Sequence, residues 1–230
     1  KAIRRQRQMC IRDRYLLQTQ INPHFLYNTL ESITWMIEGN RNQDAVFMIS
    51  ELARLFRISL SRGKTIIRIE DELQHCRNYM NIQKYRYKER FVTEYDVSEE
   101  IYPFCTVKLI LQPILENAIY YGVGDMDEDD HPRILVRGFK KEEEIYLVVS
   151  DNGMGMRRED VENILTDNQK VPKHGSGVGL INVHTRIQLM FGVRYGLKVE
   201  SEPDEGTRVT IRIPAIPYTC LLYTSDAADE

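Results

Sequence analysis

The feature that most limits how this chain can fold is a change of period near Phe91: apolar residues recur at helical spacing before it and alternate in short runs after it. When residues advance by about 100° each along a helix, Leu26, Leu30, Ile33 and Ile37 share one stripe, and His24, Asn28, Glu31 and Trp35 share the other side. This predicts a helix that ends near Gly39-Asn40, buries the leucine and isoleucine stripe, and turns the His24 imidazole away from the core. Val46, Ile49, Ala53, Phe56 and Leu60 recur at spacings of 3, 4, 3 and 4, which predicts a second helix stopping at Gly63. Two helices joined by a short polar loop make an antiparallel hairpin. One hairpin encloses too little core, so it should pair with a second copy in a four-helix bundle. Glu70, Asp71 and Glu72 suit the first turn of a third helix, which Leu73, Cys76 and Met80 carry toward Tyr87.

From Phe91 onward, FVTEYDV reads as a short strand and LILQPILENAIYYG as a helix with Pro113 near its first turn. RILVRGF and EIYLVVSD are β-branched apolar runs joined by the charged turn KKEE, and GLKVESEP and GTRVTIRIP form a pair around Asp204-Glu205-Gly206. Between them GLINVHTRIQLMFG is helical, with Leu180, Val183, Ile187 and Met190 on one face. The fold class is therefore α+β: a helical hairpin followed by an α/β sandwich.

Both ends are set aside. Residues 4–14 and 220–230 can be encoded by one DNA word and its reverse complement, a word that resembles a transposase sequencing adapter. The expected division is 1–14 and 220–230 as adapter-like tails, 15–90 as a helical dimerisation region, and 91–219 as an α/β domain, the natural chain continuing beyond the N-terminal side. A net charge of −3 gives no basic face for nucleic acid. Of four cysteines, Cys76 and Cys105 lie between the tails, in no paired framework, as suits a reducing cytosol. No apolar run approaches the length of a membrane span.

Three apparent motifs fail. ISLSRGKT lacks the first glycine of a phosphate loop, where Ile58 stands; GSGVGL lacks the last glycine of a dinucleotide fingerprint, where Leu180 stands; and DMDEDD, residues 125–130, has no calcium-loop spacing and reads as a solvated acidic loop. Four other pieces agree in order and context: ENAIYYG with Glu116 and Asn117, DNGMG with Asp151, GSGVGL opening a helix, and EGT before the last strand. Together they resemble the nucleotide site of the GHKL (Bergerat) superfamily. QINPHFLYNTLESI with LILQPILENAI resembles the sensor histidine kinases of the LytS/YesM type, a likeness that covers nearly all of residues 15–214.

The resemblance implies a role for each piece. Asp151 would accept from the adenine amino group, Gly153 and Gly155 would let the backbone approach the purine, and Thr207 would support that contact. Asn117 matches the Mg2+ ligand, and Glu116 would orient a water or the incoming imidazole. Gly175, Gly177 and Gly179 would turn amides toward phosphate at a helix N-terminus, with residues 156–174 as a mobile lid. His24 would be the phosphoryl acceptor, an exposed neutral imidazole being a nucleophile at pH 7. Asn28, one turn on, would hydrogen-bond the ring or the phosphoryl group. Pro23 begins or kinks the helix there. Phe25 follows His24 where many histidine kinases have an acid, which leaves Glu31 and Glu116 as candidate bases. Tyr121 stands where the family often has histidine, and His75, His131, His174 and His184 read as structural or surface residues.

The implied function is the cytoplasmic catalytic portion of a two-component sensor: Mg·ATP phosphorylates His24 in a homodimer, and the group passes to an aspartate of a response-regulator receiver domain. The expected location is the cytoplasmic face of a bacterial membrane, reached through a sensor region outside this soluble piece. Two alternatives have different chemistry: a GHKL ATPase in which Glu116 activates water, and an ATP-switched binding module with no kinase activity.

Overall fold

A computed structural model of the chain describes residues 23–59, 65–124, 126–165 and 176–219. Both adapter-like tails, the expected helix end at 60–63, the later part of the expected lid with His174, and Gly175 lie outside the described residues.

Helix α1 (Pro23–Glu38) and helix α2 (Asn42–Ser59) form the hairpin. Pro23 occupies the first helical position, where its missing N–H would be unpaired in any residue. Asn40 takes φ +59°, and the amides of Gly39 and Arg41 return to the carbonyls of Trp35 and Met36 at 3.0 and 2.7 Å, closing α1.

The buried stripe of α1 is Phe25, Thr29, Ile33 and Met36, and that of α2 is Ala45, Met48, Leu52, Leu55 and Ser59. This corrects the expected core face. Ile33 is buried and Leu26 half-buried, but Leu30 and Ile37 are 47 % and 52 % exposed, as are Val46 and Ile49 at 63 % and 51 %. Each helix carries two apolar stripes, and only one can pack inward on helix α3 (Ile69–Arg86). The Phe25 ring settles the choice on α1 by lying against Tyr79 of α3, centroids 5.0 Å apart. Thr29 tolerates burial because its hydroxyl donates to the Phe25 carbonyl at 2.7 Å.

Two strands too short to show alternation, β1 (Ile66–Arg68) and β3 (Cys105–Val107), pair antiparallel. The main sheet contains β2 (Val92–Val97), β4 (Arg133–Lys141), β5 (Glu144–Asp151), β6 (Gly196–Glu202) and β7 (Gly206–Pro214), in the order β2-β4-β5-β7-β6. β2 runs parallel to β4 and the remaining neighbours are antiparallel. Period-2 alternation places Ile134, Val136, Ile145, Leu147, Val149, Val209, Ile211 and Ile213 on one buried face. Arg137, Phe139, Tyr146, Arg208 and Arg212 take the open face. Helix α4 (Leu111–Asn117), which widens into a π-helical turn at Ala118–Val123, and helix α6 (Ser176–Phe191) cover the buried face. A short helix α5 (Arg158–Asn163) stands within the segment expected to be a lid. The apolar core is continuous from Phe25 through α3 to Ile213.

Candidate functional site

Asp151 ends β5, and the structure gathers three of the expected residues around it: Gly153, Gly155 and Thr207. Its Oδ1 accepts from the amides of Gly153 at 3.0 Å and Thr207 at 3.3 Å. Burial pushes the carboxyl up to about 6 from 3.8, against the opposing pull of those two amides. The backbone comes closer here than side chains would permit. A Cβ on Gly153 would collide with the backbone of Gly122, and one on Gly122 would lie 2.7 Å from Asp151 Oδ1. Gly155 has φ +65°, and a Cβ there would run into the Glu202 carbonyl. Gly122 was not among the expected site residues; its only sequence signal is the end of ENAIYYG. The π-helical turn that contains it is the local widening by which α4 reaches the Asp151 loop.

Ser201 was also missed. Its hydroxyl oxygen accepts from Met156 N at 2.8 Å, donates to the Gly206 carbonyl at 2.8 Å, and lies 2.9 Å from Thr207 Oγ1. It thus ties the exit of the Asp151 loop to the β6–β7 turn and to Thr207. A polar serine in a period-2 strand carries no mark of such a role. Asn152 adds a similar brace, accepting from Arg133 N at 2.7 Å and donating to the His131 carbonyl at 3.1 Å. Beside these groups a groove of about 550 Å³ is lined by Asp151, Ser201, Thr207, Arg158 and Arg208.

Glu116 and Asn117 sit at the end of α4, which packs on β5. Glu116 accepts from Gln112 at 2.9 Å, and burial raises its carboxyl above the usual range. The Asn117 side-chain nitrogen is buried with no hydrogen-bond partner among the described residues. An orphaned buried amide is costly unless a further group satisfies the side chain. The half-buried Asp151 carboxyl beside the open groove, and an Asn117 amide whose nitrogen is unpaired and whose oxygen is of the kind Mg2+ takes, fit a nucleotide and its metal. Among the described residues no group of three or more His, Cys, Asp or Glu could hold a metal ion.

Gly177 and Gly179 lie in the first turn of α6. A Cβ on Gly179 would come 3.3 Å from Pro113 Cβ, so this glycine also sets how closely α6 approaches α4.

His24 and Asn28 are brought together on another wall of the molecule. The His24 ring is exposed, and Asn28 Nδ2 lies 3.3 and 3.2 Å from its Nδ1 and Nε2, so the amide can donate to the imidazole. Their helix packs on α2 and α3, whereas Asp151 and Asn117 belong to β5 and α4. Glu31 is exposed on the same helix. Of the remaining histidines, His75 is buried against Ser59 at 2.9 Å, and His184 accepts from Leu197 N at 3.0 Å.

The sequence matches two family models: "Histidine kinase" over residues 14–91, and "Histidine kinase-, DNA gyrase B-, and HSP90-like ATPase" over residues 106–217. It is 38 % identical over 211 residues to sensor histidine kinase YesM of Bacillus subtilis, covering 91 % of this chain and 35 % of that protein. It is 32 % identical to sensor histidine kinase BtsS of Escherichia coli K12 and 32 % identical to sensor protein LytS of Streptococcus agalactiae, in each case over 86 % of this chain and 33 % of the relative. The chain thus spans about a third of the length of these curated relatives. Among solved structures, the catalytic domain of histidine kinase ThkA superposes with a TM-score of 0.51 at 16 % identity, over 66 % of this chain and 98 % of that one. A mycobacterial sensor histidine kinase, MprB, gives 0.50 at 17 % identity, over 66 % and 97 %. Those two likenesses establish the fold of the sheet and its helices. The helical hairpin, the α/β sandwich, the two matched modules and relatives at 32–38 % identity over most of the chain together place it in the LytS/YesM-like family of sensor histidine kinases.

Proposed function

We propose that the chain is an ATP-dependent autokinase. In this reading residues 15–90 form the dimerisation and acceptor region and residues 91–219 the nucleotide domain. The His24 nitrogen lone pair attacks the terminal phosphorus, the bond to the bridging oxygen breaks, ADP leaves, and the ring proton passes to solvent or to a nearby carboxylate. Asp151, Gly153, Gly155 and Thr207 bind the purine, and Gly175, Gly177 and Gly179 present amides to phosphate. Asn117 would hold Mg2+, whose contribution when bound is to neutralise charge on the phosphates. Glu116 and Glu31 are the candidate proton acceptors. Phosphohistidine then passes its group to an aspartate of a receiver domain.

The observation that carries this reading is the exposed His24 ring, held by Asn28 and turned away from the buried Phe25 stripe, in the same chain as the Asp151 cradle. The outward apolar residues Leu30, Ile37, Val46 and Ile49 supply the surface for a homodimer. Each is about half covered already, so burying the rest gains on the order of 1 kcal/mol apiece, which favours pairing with a second copy. Among the described residues no helix is long and apolar enough to cross a membrane. In the proposed reading a membrane sensor region belongs to other parts of the full protein, with this piece on the cytoplasmic side.

The test is transfer of label from γ-labelled ATP. The expected product is acid-labile and base-stable, requires Mg2+, and is absent in His24→Gln. Steady phosphate release without protein labelling would favour the ATPase alternative, with the half-buried Glu116 as its base. Nucleotide binding with neither labelling nor hydrolysis would leave only an ATP-switched module.

A further inference from the structure

Between the hairpin and the nucleotide cradle lies a buried polar cluster that none of the roles above uses. Glu72 of α3 is fully buried, and its carboxylate accepts from three consecutive amides: Leu109 at 2.7 Å, Ile110 at 2.8 Å and Leu111 at 2.9 Å. Those amides open α4, the helix that ends in Glu116 and Asn117, so Glu72 acts as a cap supplied by another helix. Leu109 takes φ +57° within this turn. From the other side, Arg186 of α6 donates to the carbonyls of Leu109 and Lys108. The turn 108–111 is therefore gripped by α3 and by α6, the helix that carries Gly177 and Gly179.

Lys108 extends that grip to the hairpin. It is 2 % exposed, and its ammonium donates to the carbonyl of Ser59, the last residue of α2, at 2.8 Å. A cation at the C-terminal end of a helix meets the negative end of the helix dipole. The Ser59 hydroxyl donates to the Leu55 carbonyl at 2.9 Å and lies 2.9 Å from His75 Nε2. Since the hydroxyl has one proton, His75 must donate from Nε2, which leaves Nδ1 bare; that atom has no partner among the described residues. Burial and the neighbouring ammonium hold His75 neutral, down to about 4. A neutral His75 leaves the cluster one carboxylate against two cations, Lys108 and Arg186, with helix-end carbonyls absorbing the excess.

We propose that Lys108 is a positioning residue for phosphoryl transfer: by bonding the Ser59 carbonyl it fixes the end of the His24 hairpin against the turn that starts the Asn117 helix. This rests on the autokinase reading. Its hydrogen bond is to a backbone carbonyl, so it acts through backbone placement. A misplacement of about 1 Å at the reacting atoms costs on the order of a hundredfold in rate, so loss of one of the buried bonds that join the two lobes is enough to matter.

The test uses the full chain with Lys108→Met, which keeps the length of the stem and removes the donor. Expected are ADP affinity and half-saturating ATP within about twofold of the parent, with the maximal labelling rate of His24 lowered roughly ten- to a hundredfold. An unchanged maximal rate overturns the proposal, and so does an increase, which would make the contact a brake. Loss of ADP affinity also overturns it, because Lys108 would then be part of the nucleotide lobe's own fold. An unmutated chain that binds ADP but never labels would bring down the autokinase reading itself, and the proposal with it.

Discussion

Asp151 shows how one side chain can trade stability for binding. A carboxyl that holds its proton more tightly folded than unfolded stabilises the fold fully below the unfolded value of 3.8, and that contribution is lost as pH rises through about 6. At neutral pH the half-buried carboxylate is therefore a cost, offset when a donor such as an amino group meets it. Asp151→Asn should melt at a higher temperature than the parent without nucleotide at about pH 7.5, the two converging near pH 4. The same variant should bind ADP more weakly by ~1–3 kcal/mol. Scanning calorimetry and titration calorimetry read the two effects, and unchanged ADP affinity would remove Asp151 from the purine contact. Asn117→Ala should abolish Mg2+-dependent labelling while sparing the fold, as read by circular dichroism. The meeting of Asp151 with Gly153 and Thr207 was legible in the order of the DNGMG and EGT pieces along the chain. Gly122 and Ser201 were not, since their roles depend on which backbone lies opposite, and no spacing within one element encodes that.

At the scale of elements, strands were easier to read than helix faces. The alternation in β4, β5 and β7 assigns each side chain to one of two faces with no third choice. On α1 and α2 two apolar stripes compete, and the partner that decides between them, α3, is remote in sequence. Thr29, Ser59 and Glu72 are buried polar residues whose satisfaction comes from a carbonyl one turn back or from another helix. Strands β1 and β3, three residues each, have no period to detect. The outward stripe yields a prediction: Leu30→Asp combined with Ile49→Asp should leave the monomer folded and turn a dimer into a monomer by sedimentation velocity. A dimer that persists would move the interface elsewhere. Strand β6 yields another. Ser201→Ala frees the Met156 amide and the Gly206 carbonyl together, so half-saturating ATP should rise several-fold with little change in the maximal labelling rate.

Across the whole molecule the helical hairpin and the sheet share one core, with α3 as the common wall. The order of modules was visible in the sequence. Their physical union was not, because it runs through the Lys108 and Glu72 contacts rather than through any local pattern. His75 sits in that junction and stays neutral down to about 4 against 6.5 when unfolded. Its contribution to stability is therefore intact above 6.5 and lost as pH falls toward 4, with a limiting slope of about 1.4 kcal/mol per pH unit. Comparing melting temperatures of the parent and His75→Gln across that window isolates this contribution from the opposite trends of Glu72 and Asp151; parallel curves would rule out His75 as its source.

The outward ridge of Leu30, Ile37, Val46 and Ile49 has a further consequence. In the proposed homodimer each copy completes its interior with material from a twin, so the protein has no single melting point, because mass action enters its folding equilibrium. Dilution should lower the midpoint and concentration should raise it, so that heating curves recorded at different loadings measure the strength of the pairing.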